Sequence, residues 1–238
     1  MAFVIKNARC FARSAVASCI ALAAISSGAL ADAPGLGLTK DFEIHYLEFI
    51  IDHHYAALRM TELAAGTDLQ RDAQISPAEG TSPTPGAAPV QAKAQAEELK
   101  SMARRNNRMQ REEISTAQMF LKDWYGIDYE PHVRGMNTAQ IALLEKSPPG
   151  AQFDHLFMEV FSRHHFRALA PSATCQVASD AAHGQLQRYC AGIVHAQISD
   201  IQDMREMLCK SFSICDYQPI GGLKGRHSGN EGQQSMAE

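Results

Sequence analysis

The stretch Ile50-Ile51-Asp52-His53-His54-Tyr55-Ala56-Ala57-Leu58-Arg59-Met60 decides the fold. Around it, Leu47, Ile50, Ile51, His54, Ala57, Leu58 and Thr61 recur on one helical face. That spacing predicts a helix from about Lys40 to Ala65, closed by Gly66. Neighbouring residues on a helix point about 100° apart, so the two histidines cannot face the same axis. The apolar stripe turns His54 inward and leaves His53 near the seam.

The pair recurs as His164-His165, on a stripe of Phe153, Phe157, Phe161 and Ala168. This predicts a helix from about Ala151 to Ala170, stopped by Pro171, and leaves open which member of the pair faces inward. Two further helices are expected. One runs from about Gln91 to Tyr125, with Leu99, Met102, Asn106, Gln110, Ile114, Ala117 and Leu121 on its stripe and Gly126 at its end. The other runs from about Ala181 to Lys210, with Leu186, Ile193, Gln197, Ile201, Met204 and Leu208 on its stripe. A short helix is predicted at Thr138–Glu145.

Other elements repeat in the same order. Gln110-x-x-Glu113-Ile114 returns as Gln197-x-x-Asp200-Ile201, and Asp128-Tyr129-Glu130-Pro131 as Asp216-Tyr217-Gln218-Pro219. Each unit is helix, loop, helix. A lone hairpin cannot bury its stripe, so two should pair. The expected fold is all-α: a four-helix bundle of two helical hairpins over 32–220, with repeat one at about 40–131 and repeat two at about 151–219. The Pro- and Gly-rich residues 66–92 form a long loop in the first hairpin, expected to be exposed and mobile.

Composition bounds the function. The chain has 238 residues, is 45% hydrophobic and 20% charged, and carries a net charge of −4. Bulk positive charge for nucleic-acid binding is lacking. Residues 1–31 read as a signal peptide: Lys6, Arg9 and Arg13, then an apolar run, then Ala29-Leu30-Ala31. An exported protein follows, periplasmic or secreted, with no stable membrane insertion after cleavage. Cys175, Cys190, Cys209 and Cys215 remain in the mature chain, and an oxidising compartment favours disulfides. The local pairings, Cys175 with Cys190 and Cys209 with Cys215, close short connections. A thiolate metal site is the rival, although no CxxC spacing exists. Residues 221–238 are expected to be a disordered tail. Oligomeric state is not legible.

The chemistry sits on the inward faces. Gln110/Glu113 and Gln197/Asp200 are spaced i, i+3, so each pair shares a face. A buried imidazole needs partners. Two readings stand side by side: a structural layer of histidines bonded to these polar residues, or a metal site. Methionines are plentiful on the helices, among them Met60, Met102, Met109, Met119, Met158, Met204 and Met207. They are core filler, or, with imidazole, ligands suited to Cu(I). A di-iron centre would want four or more inward carboxylates, and only Glu113 and Asp200 qualify. No Ser-His-Asp set, phosphate loop or HExxH stretch is present.

His53-His54-x-x-Ala57-x-x-Met60, with Gln110-x-x-Glu113-Ile114 and Trp124-Tyr125-Gly126, resembles the domain of unknown function 305 family, here as two tandem copies. The resemblance implies a ferritin-like helical bundle and periplasmic copper binding through His and Met, with a role in copper tolerance. The pattern is incomplete. Met204 keeps a family methionine in the second unit where Ala117 replaces it in the first, with Met119 displaced; Met60 is kept in the first unit where Pro171 replaces it in the second. Were the two His-bearing helices parallel, Met60 and Met204 would lie towards opposite ends.

The expected function is therefore a non-enzymatic metal-binding protein, with copper, Cu(I) above all, as the ion. His54 and His165 are the inner ligands, His53 and His164 accessory, and Met60 and Met204 soft ligands. Gln110, Glu113, Gln197 and Asp200 orient the rings. The alternatives are a di-metal oxidoreductase and a metal-free structural or partner-binding bundle.

Overall fold

The computed structural model describes residues 38–69 and 80–220. Within them the protein is all-helical: α1 (Leu38–Ala65), α2 (Glu97–Tyr125), α3 (Met136–Lys146), α4 (Ala151–Ala178) and α5 (Gly184–Phe212). No strand occurs among the described residues; one isolated bridge joins Thr67 to Thr81. The signal-peptide and tail expectations lie outside the described residues.

Cross-helix contacts fix the directions. α1 and α2 are antiparallel, since Asn107 donates to the Leu58 carbonyl and Tyr125 to Glu43. α1 and α4 are also antiparallel, because His53 meets His164 while Tyr46 meets Ser172. α5 returns along α4, tied to it by Cys175–Cys190 near one end. Along α2 it is held by Lys210–Glu98 and Arg105–Asp203. α3 lies across α1 and α4. The parallel arrangement considered for the two His-bearing helices is thereby corrected. Met60 and Met204 lie in one buried cluster at the same end, with Met102, Met158 and Met207.

The core has two apolar parts. One is built on Met60, Leu63, Phe153, Phe157, Phe161, Met204 and Leu208. The other is built on Leu47, Ile50, Ile51, Leu121, Trp124, Cys190 and Ile193. On each long helix the polar motif falls at the boundary: His53-His54 between Ile51 and Ala56, Gln110 between Ala103 and Ile114, His164-His165 between Phe161 and Ala168, and Gln197/Asp200 between Ile193 and Met204.

Three local expectations are revised. α4 does not stop at Pro171 but continues to Ala178. Proline costs one main-chain hydrogen bond, while Ser172 and Cys175 beyond it are fully buried, one bonded to Tyr46 and the other in a disulfide. α2 begins at Glu97, not Gln91. Upstream, Lys93 and Ala94 donate their main-chain N–H groups to Leu63 and Ala64, and the Asp154 carboxylate takes the N–H groups of Gln95 and Ala96. Residues 80–92 are docked rather than free. Tyr55 donates to Pro85 O, Arg59 to Ala88 O, and Arg111 to the carbonyls of Ser82 and Pro83, while Thr81 and Thr84 are buried. Both local disulfides form, Cys175–Cys190 and Cys209–Cys215.

Candidate metal centre

All four paired histidines are buried, none more than 2% exposed. They divide by role. His53 and His164 face each other across α1 and α4 with ring centroids 3.7 Å apart and nearly parallel. Each donates its Nε2–H to the other's main-chain carbonyl, at 2.8 and 3.1 Å. A carbonyl only accepts, so both rings carry the proton on Nε2. His164 Nδ1 then accepts from Arg167, at 3.0 Å. His53 Nδ1 has no partner.

His54 and His165 point towards α2 and α5, and their surroundings correspond. His54 lies between Glu113 of α2 (Nδ1 to Oε2, 3.5 Å) and Gln197 of α5 (3.5 Å). His165 lies between Asp200 of α5 (Nδ1 to Oδ2, 3.7 Å) and Gln110 of α2 (3.3 Å). Each ring thus meets the carboxylate of its own sequence unit and the amide of the other. Four atoms here make no hydrogen bond: Nδ1 of both rings and Oε1 of both glutamines.

Burial sets the charges. It drives His53 and His165 down to about 3, and His54 and His164 well below the usual imidazole range, helped by the neighbouring rings. All four are neutral, the form that binds metal. Burial first, then the charges of Asp200 and Glu112, pushes Glu113 up to about 8. Asp200 is also raised by burial, opposed by hydrogen bonds from Asn106 and Arg105. Glu113 beside His54 is therefore a neutral acid facing a neutral ring at pH 7, not an ion pair.

The donor chemistry suits a cation of borderline hardness: imidazole nitrogen, amide oxygen and carboxylate. The spacing suits hydrogen bonding. Among the described residues no three His, Cys, Asp or Glu side chains converge at ligating distance. Met60 and Met204 are fully buried in the adjoining apolar cluster, where Met204 Sδ accepts from Ser162 at 3.5 Å.

The profile described as Domain of unknown function (DUF305) matches residues 87–208, more than half of the chain. The chain belongs to the DUF305 family. Among curated proteins none matches it significantly. Solved structures similar to this DUF305 chain include "CopM in the Cu(I)-bound form" (17% identity, TM-score 0.50) and "CopM in the Cu(II)-bound form" (18%, 0.52). Another is "Crystal structure of DUF305 fragment from Deinococcus radiodurans" (19%, 0.51). Each alignment covers 71% of this chain and 96% of the other. At such identity the likeness is one of fold.

A second buried polar cluster has no counterpart in the sequence reading. Glu43, fully buried, accepts from the Asp180 main-chain N–H and from His183 Nδ1, both at 2.6 Å, and from Tyr125 Oη. The His183 ring stacks on Trp124 at 4.2 Å. The cluster joins the start of α1, the end of α2 and the turn before α5. The one signal in the sequence was Glu43 standing one helical turn from Leu47 on the inward face.

Proposed function

We propose that this protein is an exported, non-enzymatic copper-binding protein, built as a ferritin-like four-helix bundle from two tandem copies of one hairpin. His54 with Glu113 and Gln197, and His165 with Asp200 and Gln110, would hold the ion as cargo. One observation carries the proposal: two buried, neutral imidazoles, each with an unpartnered Nδ1 beside an acidic side chain and its Nε2 beside a glutamine whose amide oxygen is itself unpartnered. Buried polar atoms are normally satisfied, and a cation would satisfy both sets. The copper-bound CopM structures of similar fold support the choice of metal. His53 and His164, first expected as accessory ligands, are left out of this site, because each gives its Nε2–H to a main-chain carbonyl and His164 Nδ1 also accepts from Arg167. Met60 and Met204 stay as soft donors next to the layer. No helix among the described residues is long and apolar enough to cross a membrane.

The test is titration of the purified protein with copper under a competing chelator, with thermal unfolding in parallel. Binding to the folded state must raise the melting temperature. His54→Ala with His165→Ala should abolish both effects; unchanged affinity in that double variant ends the assignment. A second reading, a metal-free layer that fixes helix register, is favoured by the reciprocal His53–His164 bonds and predicts no stabilisation by copper. A di-metal oxidoreductase is not proposed, since the layer offers only two carboxylates.

A further inference from the structure

The two disulfides stand in opposite surroundings. Cys175 and Cys190 are both fully buried. Cys209 is half-buried and Cys215 exposed. The outer bridge closes a tight turn at the end of α5, its partners six residues apart. Inside that turn Ser213 takes the left-handed conformation, φ 58°, and the N–H groups of Ser213 and Ile214 go to Cys209 O and Leu208 O. A residue with a Cβ adopts that conformation at a cost, so the turn leans on its covalent closure. Just beyond it Tyr217 is buried. It donates its O–H to Glu159 O at 2.8 Å and accepts Arg205 Nε–H on its carbonyl at 3.0 Å. The Arg163 guanidinium lies 5.6 Å from its ring centroid, and the Phe212 ring stacks on His155 at 5.2 Å. Tyr217 belongs to the core cluster that holds Met158, Met204 and Met207, and Phe212 and Ile214 pack against that cluster. Residues 212–217 thus form a clasp over the methionine-bearing end of the bundle.

We propose that Cys209–Cys215 is a reducible latch: a dithiol reductant opens it in the folded protein, and the freed clasp uncovers Met158, Met204 and Met207. Exchange needs a thiolate to reach a disulfide sulfur. Cys215, the more exposed partner, receives the attack. A bond forms between the reductant's sulfur and Cys215 Sγ, the Sγ–Sγ bond breaks, and Cys209 leaves as a thiolate. The reductant's second thiol then displaces the Cys215 thiolate and closes the reductant's own disulfide. Two electrons pass from the dithiol to the protein, and its two thiol protons end on Cys209 and Cys215. Cys175–Cys190 is shielded from the same chemistry by its burial. Without the outer bridge, the left-handed turn loses its closure, and Tyr217 is held by two hydrogen bonds and ring packing alone. Local opening of such a chain end needs no global unfolding. The latch works whether or not the His54 and His165 layer holds metal.

Dithiothreitol without denaturant, followed by alkylation and peptide mass analysis, tests this on the full, metal-free chain. Cys209 and Cys215 should be alkylated roughly tenfold faster or more than Cys175 and Cys190. With only the outer bridge reduced, backbone hydrogen exchange across 205–217 should quicken. Hydrogen peroxide should then convert Met158, Met204 and Met207 to sulfoxides several-fold faster than in the parent, by the order of magnitude that access commands. Met119 and Met136, exposed at 48% and 57%, serve as internal references and should not change. Cys209→Ser/Cys215→Ser should reproduce the faster oxidation without reductant, with an unchanged helical circular dichroism spectrum. Tyr217→Ala should do so with the bridge intact. Equal reduction rates for the two disulfides overturn the proposal. So does selective reduction that leaves the three methionines as protected as before.

Discussion

The His54 and His165 centres use the same parts in exchanged helices, yet their carboxylates stand in different company. Beside Asp200, Arg105 supplies a guanidinium at 3.2 Å and Asn106 a further hydrogen bond. The positions on α5 that correspond to Arg105 and Asn106 on α2, counted back from Gln197 and Gln110, are Gly192 and Ile193. A side chain at Gly192 would meet open space, so no cation balances Glu113 from that position. The lesson is that two centres with matching rings and amides can differ in charge state through residues outside the matching set. Asp200 has a charge partner that makes ionisation easier; Glu113, without one, holds its proton to about pH 8.

The largest expected effect erases the difference. On acidification both centres suffer alike, because burial holds His54 well below the ordinary imidazole range and His165 at about 3, as it does His53 beside them. Their neutral forms are favoured by the fold. That stability is whole above pH 6.5 and is lost as pH falls towards 3, by up to ~1.4 kcal/mol per unit for each ring. Chemical denaturation between pH 7 and 4 reads this directly; a flat profile would contradict the burial of the rings. Next, His164→Ala should cost about 3–5 kcal/mol and His53→Ala about 1 kcal/mol less. The first also strips Arg167 of an acceptor, whereas His53 Nδ1 serves nothing.

The third test separates the centres. Glu113 rises from 4.5 to about 8 on folding, so its contribution is complete below pH 4.5 and is lost as pH climbs through 8. Glu113→Gln should therefore be more stable than the parent at pH 9, by about 2 kcal/mol, and no more stable at pH 5. Fourth, Arg105→Ala should make the second centre resemble the first. Destabilisation of about 1 kcal/mol is expected, this being a half-exposed pair, with an upward shift of the Asp200 carboxyl visible by NMR. Smallest, Gly192→Ala should stabilise α5 by about 0.5–1 kcal/mol, as a helical glycine with room for a methyl group.

Much of this was legible in the sequence, and the failures have identifiable causes. Helix positions followed from apolar spacing because every long helix buries one face. The inward turn of His54 followed from the same stripe. The full burial of His53 did not, since a seam position is exposed or covered according to what the next helix brings, and α4 brings His164. Pro171 misled because proline's local cost was outweighed by Ser172 and Cys175 beyond it. The loop before α2 misled because its composition is that of free chain, while its anchors, Tyr55, Arg59 and Arg111, are contributed by helices remote in sequence. The company kept by Glu113 and Asp200 was out of reach for the same reason: Arg105 lies across the helix interface from Asp200, and no periodicity reports on a neighbour's charge.

The exchange of ring and carbonyl between His53 and His164 carries a consequence for how such a chain tolerates change. Each imidazole grips peptide backbone, which every amino acid supplies, so neither grip requires a particular side chain opposite. Replacing one histidine opens one clasp and leaves the other fastened, and the two helices can drift in composition around the joint without sliding past each other.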